Sequence, residues 1–319
     1  MTALAERRTA GYRSRTGMRW QKRGHIYVPD GTLWWARGYA SFPTVEVLDG
    51  VLRVYFTSLD ENKFGRTGYV DLDSRDPCRI LHAAEEPVLD LGEIGAFDDS
   101  GATAFSLVRD GPRKYLYYQG WQRTERAPHL IFTGLAIDDG SGGGFRKHSR
   151  APILDRTEAE PFIRGAPYVM KAADAFHMWY ASASRWVEDE HGLHYDIVIR
   201  HATSPDGIRW IADDRPAVST ESPAEYAVGR PSVLFDDGVY RMWYAIRSFN
   251  EPYRIGYAES SDGVSWTRRD SEAGIGRSQE GWDSAMICYP QVVRVDDRLL
   301  MFYNGNQHGA SGFGYAEAV

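Results

Sequence analysis

Four carboxylates stand at nearly the same place relative to an aromatic residue downstream. Asp99 lies 19 residues before Tyr118, Glu160 lies 20 before Tyr180, Glu225 lies 19 before Tyr244 and Asp283 lies 20 before Tyr303. A base, Arg37, lies 19 before Phe56. Two carboxyl groups facing one substrate can divide the work of acid and base. Glycoside cleavage asks for that pair at ~5–5.5 Å for retention or ~6.5–9.5 Å for inversion. Bare acids crowded on a cavity are costly, so cations or a polyhydroxyl ligand are expected among them. Ser41, Thr103, Arg164, Arg230 and Tyr289 follow the acids and precede an apolar run. Gln119, Trp121, Arg185, Arg247, Asn304, Asn306 and His308 come just after the aromatic positions. Arg, Asn and carboxylate can bind sugar hydroxyls in pairs, and Trp or Tyr faces can lie on sugar C–H surfaces. The same positions have a structural reading, in which repeated acids cap loops or pair with Arg164 and Arg230 between repeats.

The elements that must position these residues are read from a repeat. The aromatic pairs Tyr55-Phe56, Tyr117-Tyr118, Trp179-Tyr180, Trp243-Tyr244 and Phe302-Tyr303 are separated by 62, 62, 64 and 59 residues. A fixed period of this size marks repeated supersecondary units. The fourth unit is the clearest. Residues 231–235 form a short apolar run, and Asp236-Asp237-Gly238 supplies the positive-φ residues of a hairpin turn. Alternating strands follow at 239–245, 254–259 and 265–268, the last carrying Trp266. No sustained 3.6-residue apolar stripe occurs, which makes the class all-β. Five units of four antiparallel strands predict a five-bladed β-propeller. The fifth unit ends after three strands, and the segment around Trp20 resembles the missing fourth. It is expected to close the last blade and to pack beside Phe302 and Tyr315. A closed ring leaves few exposed sheet edges. Residues 1–17 read as a flexible tail and residues 18–319 as one propeller domain.

Composition excludes several classes. The net charge is −7 and no run of Lys and Arg exceeds two, which argues against a nucleic-acid surface. No apolar stretch approaches the ~20 residues needed to span a bilayer. The N-terminal residues lack the apolar centre of a secretory signal. Cys78 and Cys288 have neither metal-ligand nor disulfide spacing. A cytoplasmic location is expected, with no metal and no cofactor. The expected partner is a small carbohydrate or glycosylated metabolite, not nucleic acid or a membrane. The oligomeric state stays open.

The segments Arg241-Met242-Trp243-Tyr244, Ile255-Gly256-Tyr257-Ala258 and Ser261-Asp262-Gly263-Val264-Ser265-Trp266 resemble the blade motifs of the five-bladed propeller glycoside hydrolases. That group includes the arabinanases and xylosidases (family 43), the invertases and levansucrases (families 32 and 68) and the mannoside phosphorylases (family 130). The resemblance spans residues 18–319 and implies carboxylate acid/base chemistry in a central funnel. The family 43 Asp-Pro is replaced here by Phe42-Pro43, and its Glu before Gly-Pro by Arg164-Gly165-Ala166-Pro167. The invertase Asn-Asp-Pro is absent. A hydrolase would therefore draw on the shifted acids, with Asp99 or Asp283 as general acid and Glu225 as base. Glu160, Arg37, Ser41, Trp121, Arg247, Tyr289, Asn304, Asn306 and His308 would bind substrate. Arg164 and Arg230 would hold a carboxylate, a phosphate or a hydroxyl pair. A phosphate-dependent phosphorylase, a non-catalytic sugar-binding propeller and a relative recruited to another biosynthetic reaction are the alternatives.

Overall fold

The computed structural model describes residues 18–172 and 175–319. Residues 1–17, expected to form a tail, lie outside the described residues. The first blade pairs Gly38–Val47, Val51–Leu59, Gly65–Asp73 and Ile80–Ala83 in order. The second pairs Gly101–Asp110, Arg113–Arg123, His129–Asp138 and Arg146–Lys147. The third pairs Ile163–Lys171, Phe176–Asp189, Gly192–Ser204 and Ile211–Val218. The fourth pairs Glu225–Asp236, Val239–Ser248, Arg254–Ser260 and Thr267–Arg268. The fifth pairs Cys288–Val295, Arg298–Asn304 and Phe313–Ala318, and its fourth strand is Trp20–Tyr27. All of these pairings are antiparallel. The innermost strand of each blade touches that of the next, and the fifth touches the first. That contact ring is the propeller axis.

The Asp236–Gly238 turn is the expected hairpin, with φ of 51° at Asp237 and 76° at Gly238. Ring donors cross two of the seams. Tyr117 Oη donates to Gly207 O at 3.0 Å, and Trp179 Nε1 donates to Gly263 O at 2.8 Å. Each acceptor is the glycine of an outer Asp-Gly turn, so the turn is fixed from the preceding blade.

Trp20 lies opposite Ala318 in the last blade, as closure required. Its packing differs from expectation. It meets Trp243 edge-on at 5.6 Å and lies among Tyr257, Ile287, Met301 and Tyr303, in the core between the fourth and fifth blades. Phe302 and Tyr315 face the other way, toward the first blade. Strand alternation explains this, since neighbours along a strand point to opposite faces. The closing strand was placed correctly and its face was not.

Candidate functional site

The inner strands carry the feature that builds the site. Opposite the second aromatic, two residues of the inner strand face one of its partner in four blades. The first of the two is Phe42, Ala166, Arg230 or Tyr289, each followed by Pro. All four are left-handed, with φ of 59°, 49°, 55° and 57°. Such a conformation is uncommon away from glycine. A bulge of this kind re-aims a side chain, and here it turns four residues onto the axis. The second blade has Phe105 where the others have Pro.

These five residues line one axial cavity of about 390 Å³, together with Gln119, Trp121, His129, Tyr195, Arg247, Tyr253 and His308. Every blade contributes. The volume is at the small end of the ~300–1,000 Å³ typical of small-molecule sites. The aromatics form a continuous cup. Phe42 is 5.0 Å from Phe105 and 4.2 Å from Tyr289, and Tyr253 is 6.2 Å from Tyr289. Trp121 is seated by a glycine, since a Cβ at Gly101 would lie 1.9 Å from its Nε1.

Two guanidinium groups sit on this cup. Arg230 is 2% exposed and lies 4.7 Å from the Phe105 centroid. Its Nη2 donates to Pro43 O at 2.8 Å, Thr44 Oγ1 at 3.1 Å and Gln291 Oε1 at 3.1 Å. Its buried Nε has no acceptor among the described residues. Burial pushes its pKa down to about 9, against an opposing pull from Tyr168. Arg247 lies over the rings of Tyr253 and Tyr195, at 5.0 and 5.4 Å, and donates to Tyr195 Oη. Burial works against its charge, but the surrounding phenols outweigh it and the net shift is upward. The cavity's imidazoles feel the same cation. Burial first and Arg247 second lower His129 to about 4, and the same two causes lower His308. Among the described residues the lining thus offers two cations, two neutral imidazoles, three phenols, an indole and an amide, and no carboxylate.

The acids of the repeat are elsewhere. Asp283, 1% exposed, accepts from Tyr303 Oη at 2.9 Å and pairs with Lys22 Nζ at 2.6 Å. Glu160 accepts from Tyr180 Oη at 3.0 Å and Ser182 Oγ at 2.6 Å, with Arg164 Nε at 3.1 Å. In the second blade the equivalent acid is Asp98, not Asp99. Asp98 lies 20 residues before Tyr118, accepts from its hydroxyl at 2.9 Å and pairs with Lys147 at 2.6 Å. Asp99 instead accepts from Gly95 N and Ser100 Oγ in its own loop. Tyr244 gives its hydroxyl to Asp270 at 2.7 Å, and Glu225 is held by Arg268 at 2.8 Å and Arg254 at 2.9 Å. Burial raises the Glu225 pKa, but Arg268, the Glu221 N–H and Arg254 outweigh it and the net shift is downward. Asp98, Glu160, Asp283 and, in the fourth blade, Asp270 are therefore latches, each joining a buried tyrosine to a cation, and Asp99 and Glu225 are not among them.

The structure does not bring Asp99, Glu225 and Asp283 into one cavity. Glu225 does line a second cleft of about 580 Å³ between the third and fourth blades, with Asp196 and Arg185. There Asp196 is paired with Arg185. Several expected ligand contacts are also structural. Arg37 donates to Gly31 O at 2.6 Å in its own loop. Ser41 Oγ donates to His308 O at 2.7 Å. Arg164 is buried against Glu160 and Asp155 O. Asn304 is fully buried, donating to Ala40 O and Gly312 O and accepting from Phe42 N, so it binds the last blade to the first. Asn306 accepts from Ala285 N and Met286 N. Trp121, Arg230, Arg247, Tyr289 and His308 do reach the cavity. Phe42, Phe105, His129, Tyr195 and Tyr253 were missed. The residue before the blade-opening Pro was the legible signal for Phe42. Among the described residues no group of three or more His, Cys, Asp and Glu could hold a metal ion.

The fold is that of the propeller glycoside hydrolases. A structure described as a glycoside hydrolase superposes with a TM-score of 0.73 at 19% identity, covering 95% of this chain and 92% of that one. A glycosyl hydrolase from Bacteroides ovatus gives 0.73 at 13% identity, covering 95% and 94%. A thermostable family-43 glycoside hydrolase gives 0.65 at 16%, covering 88% of each chain. No family model matches the chain. In sequence it is 37% identical over 300 residues to uncharacterized proteins of Mycobacterium tuberculosis strains CDC 1551 and H37Rv, covering 94% of this chain and 99% of each relative. The chain belongs to the same family as these mycobacterial proteins.

Proposed function

We propose that this protein binds a small sugar or sugar-containing metabolite in the axial cavity, and that it does not hydrolyse glycosides with a carboxylate pair. The observation that carries the reading is the cavity lining. It holds Trp121, Tyr195, Tyr253 and Tyr289 for stacking, Gln119 and two arginines for hydroxyls, and among the described residues no Asp or Glu. Hydrolysis by the usual route needs one carboxyl group as acid and another as base or nucleophile. The acids of the repeat are engaged elsewhere: Glu160 and Asp283 with tyrosines and cations, Glu225 with arginines and Asp99 with its own loop. Glu225, the expected base, has its oxygens occupied by Arg268 and Arg254 and its pKa lowered, which makes it a weak proton acceptor and suits a structural ion pair. Glycoside hydrolases sharing the fold support a carbohydrate ligand by likeness of architecture alone.

The test is a thermal-shift and calorimetric screen of monosaccharides and glycosylated metabolites, run beside a panel of aryl glycosides with and without phosphate. A sugar ligand should raise the Tm of the wild type and not that of Trp121→Ala. No aryl glycoside should be cleaved in the absence of phosphate. Steady hydrolysis by the wild type that is lost in Asp283→Asn but kept in Trp121→Ala would overturn the reading.

A further inference from the structure

We propose that the ligand of the axial cavity carries a compact oxyanion group, a phosphate or a carboxylate, and that Arg230 and Arg247 receive it. This rests on the sugar-ligand reading and names the part of the ligand that the cations take.

The charge pattern of the molecule sets these two residues apart. Several other buried or half-buried cations of the blades have an acid at hand, and half-buried Arg298 instead donates to Ser74 O. Lys22 has Asp283 at 2.6 Å, Lys147 has Asp98 at 2.6 Å, Arg268 has Glu225 at 2.8 Å and Arg164 has Glu160 at 3.1 Å. Neither Arg230 nor Arg247 has a carboxylate within 4.0 Å among the described residues. The acceptors around Arg230 are carbonyls, a hydroxyl and an amide. They satisfy N–H groups but cancel no charge, and its Nε is left without an acceptor. An uncompensated buried charge is expensive to keep. A merely structural bridge between Pro43, Thr44 and Gln291 could be made by a neutral amide at lower cost. What a guanidinium adds is a planar set of N–H donors matched to carboxylate and phosphate oxygens.

The position is also prepared for a ligand. Arg230 is at one of the bulges that turn residues onto the axis, and its left-handed backbone is the kind of local strain that collects at ligand sites. The ring of Phe105 supports it from one side. Arg247 comes from the second strand of the same blade and is held by Tyr195 and Tyr253. Both arginines line the same cavity as the stacking aromatics, so one ligand can place a ring on the aromatics and an oxyanion on the cations.

The experiment is titration calorimetry at low salt with sulfate, inorganic phosphate, glucose 1-phosphate, glucuronate and methyl glucoside. The proteins are the wild type, Arg230→Met and Arg247→Gln. Anionic sugars should bind the wild type about tenfold or more tightly than methyl glucoside, the worth of one charge-assisted contact. The preference should collapse in both variants. Arg247 bridges only to Tyr195 of the third blade, whereas Arg230 ties its blade to three others, so Arg247→Gln keeps the test valid if Arg230→Met does not fold. Binding of sulfate and phosphate alone, lost in the variants, supports a free anion as the group received. Binding of only the ester or the uronate supports an anion carried on the sugar. Equal affinity for neutral and anionic sugars overturns the inference and leaves the sugar reading standing. Arginine-dependent anion binding with no sugar binding does the reverse.

Discussion

The seams between blades and the cavity on their axis treat charge in opposite ways. In the cores between blades a buried tyrosine hydroxyl meets an acid of its own blade, and that acid meets a cation of the same blade. Asp98, Glu160 and Asp283 repeat this with Tyr118, Tyr180 and Tyr303. The first blade has Phe56 at that position and no acid 20 residues before it, only Ala36. The hydroxyl is what calls for the carboxylate. On the axis the cations stand without acids among the described residues, ringed by phenols, imidazoles and phenyl rings. A regular spacing of chemically able residues thus marks the scaffold. The irregular residues, differing from blade to blade, mark the site.

The comparison can be broken first at the closing seam. Trp20→Ala should lower stability by about 4 kcal/mol, the usual cost of emptying a buried Trp position, read by urea denaturation. A loss under about 1 kcal/mol would mean that the N-terminal strand does not hold the ring shut. Asp283→Ala comes next. It strands the hydroxyl of Tyr303 and leaves Lys22 unpaired, and should cost about 3 kcal/mol, while ligand affinity of the folded protein stays within about twofold. A large affinity loss at full stability would return Asp283 to the site.

Phe56→Tyr sharpens the same point. It adds a latch hydroxyl where no latch acid waits, in a core where Phe56 stacks on Trp35 at 5.9 Å. A buried unsatisfied hydroxyl should cost about 2 kcal/mol. No change in Tm would show that the hydroxyl does not need its carboxylate.

The smallest effect belongs to the cavity. His129 lies against Arg247, Trp186 and Tyr195. Burial first and Arg247 second lower its pKa from 6.5 to about 4. Between those values the unfolded chain binds more protons than the folded one, so this contribution to stability falls as pH drops through that window. His129→Asn should flatten this part of the stability curve between pH 6.5 and 4. Saturating sulfate should flatten it too, because an anion beside Arg247 favours the protonated ring. Parallel curves for wild type and His129→Asn would remove the imidazole from the account.

The sequence by itself determined the number of blades, the strand order and the strand that closes the ring. These follow from local signals: aromatic pairs at a steady interval, Asp-Gly turns and a fifth repeat one strand short. It also marked Arg230 and Tyr289, through their place just before an inner apolar run. Tertiary structure alone decided which acid serves which tyrosine, which face Trp20 takes and what lines the cavity. Asp98 and Asp99 are neighbours in the chain, and only the position of the Tyr118 hydroxyl and Lys147 separates their roles. A one-residue step along a strand reverses the face a side chain presents. Asp98, Asp99, Glu160 and Asp283 lie in loops, whose course spacing does not reveal, so composition and spacing could find the ring of acids but not the partners that occupy it.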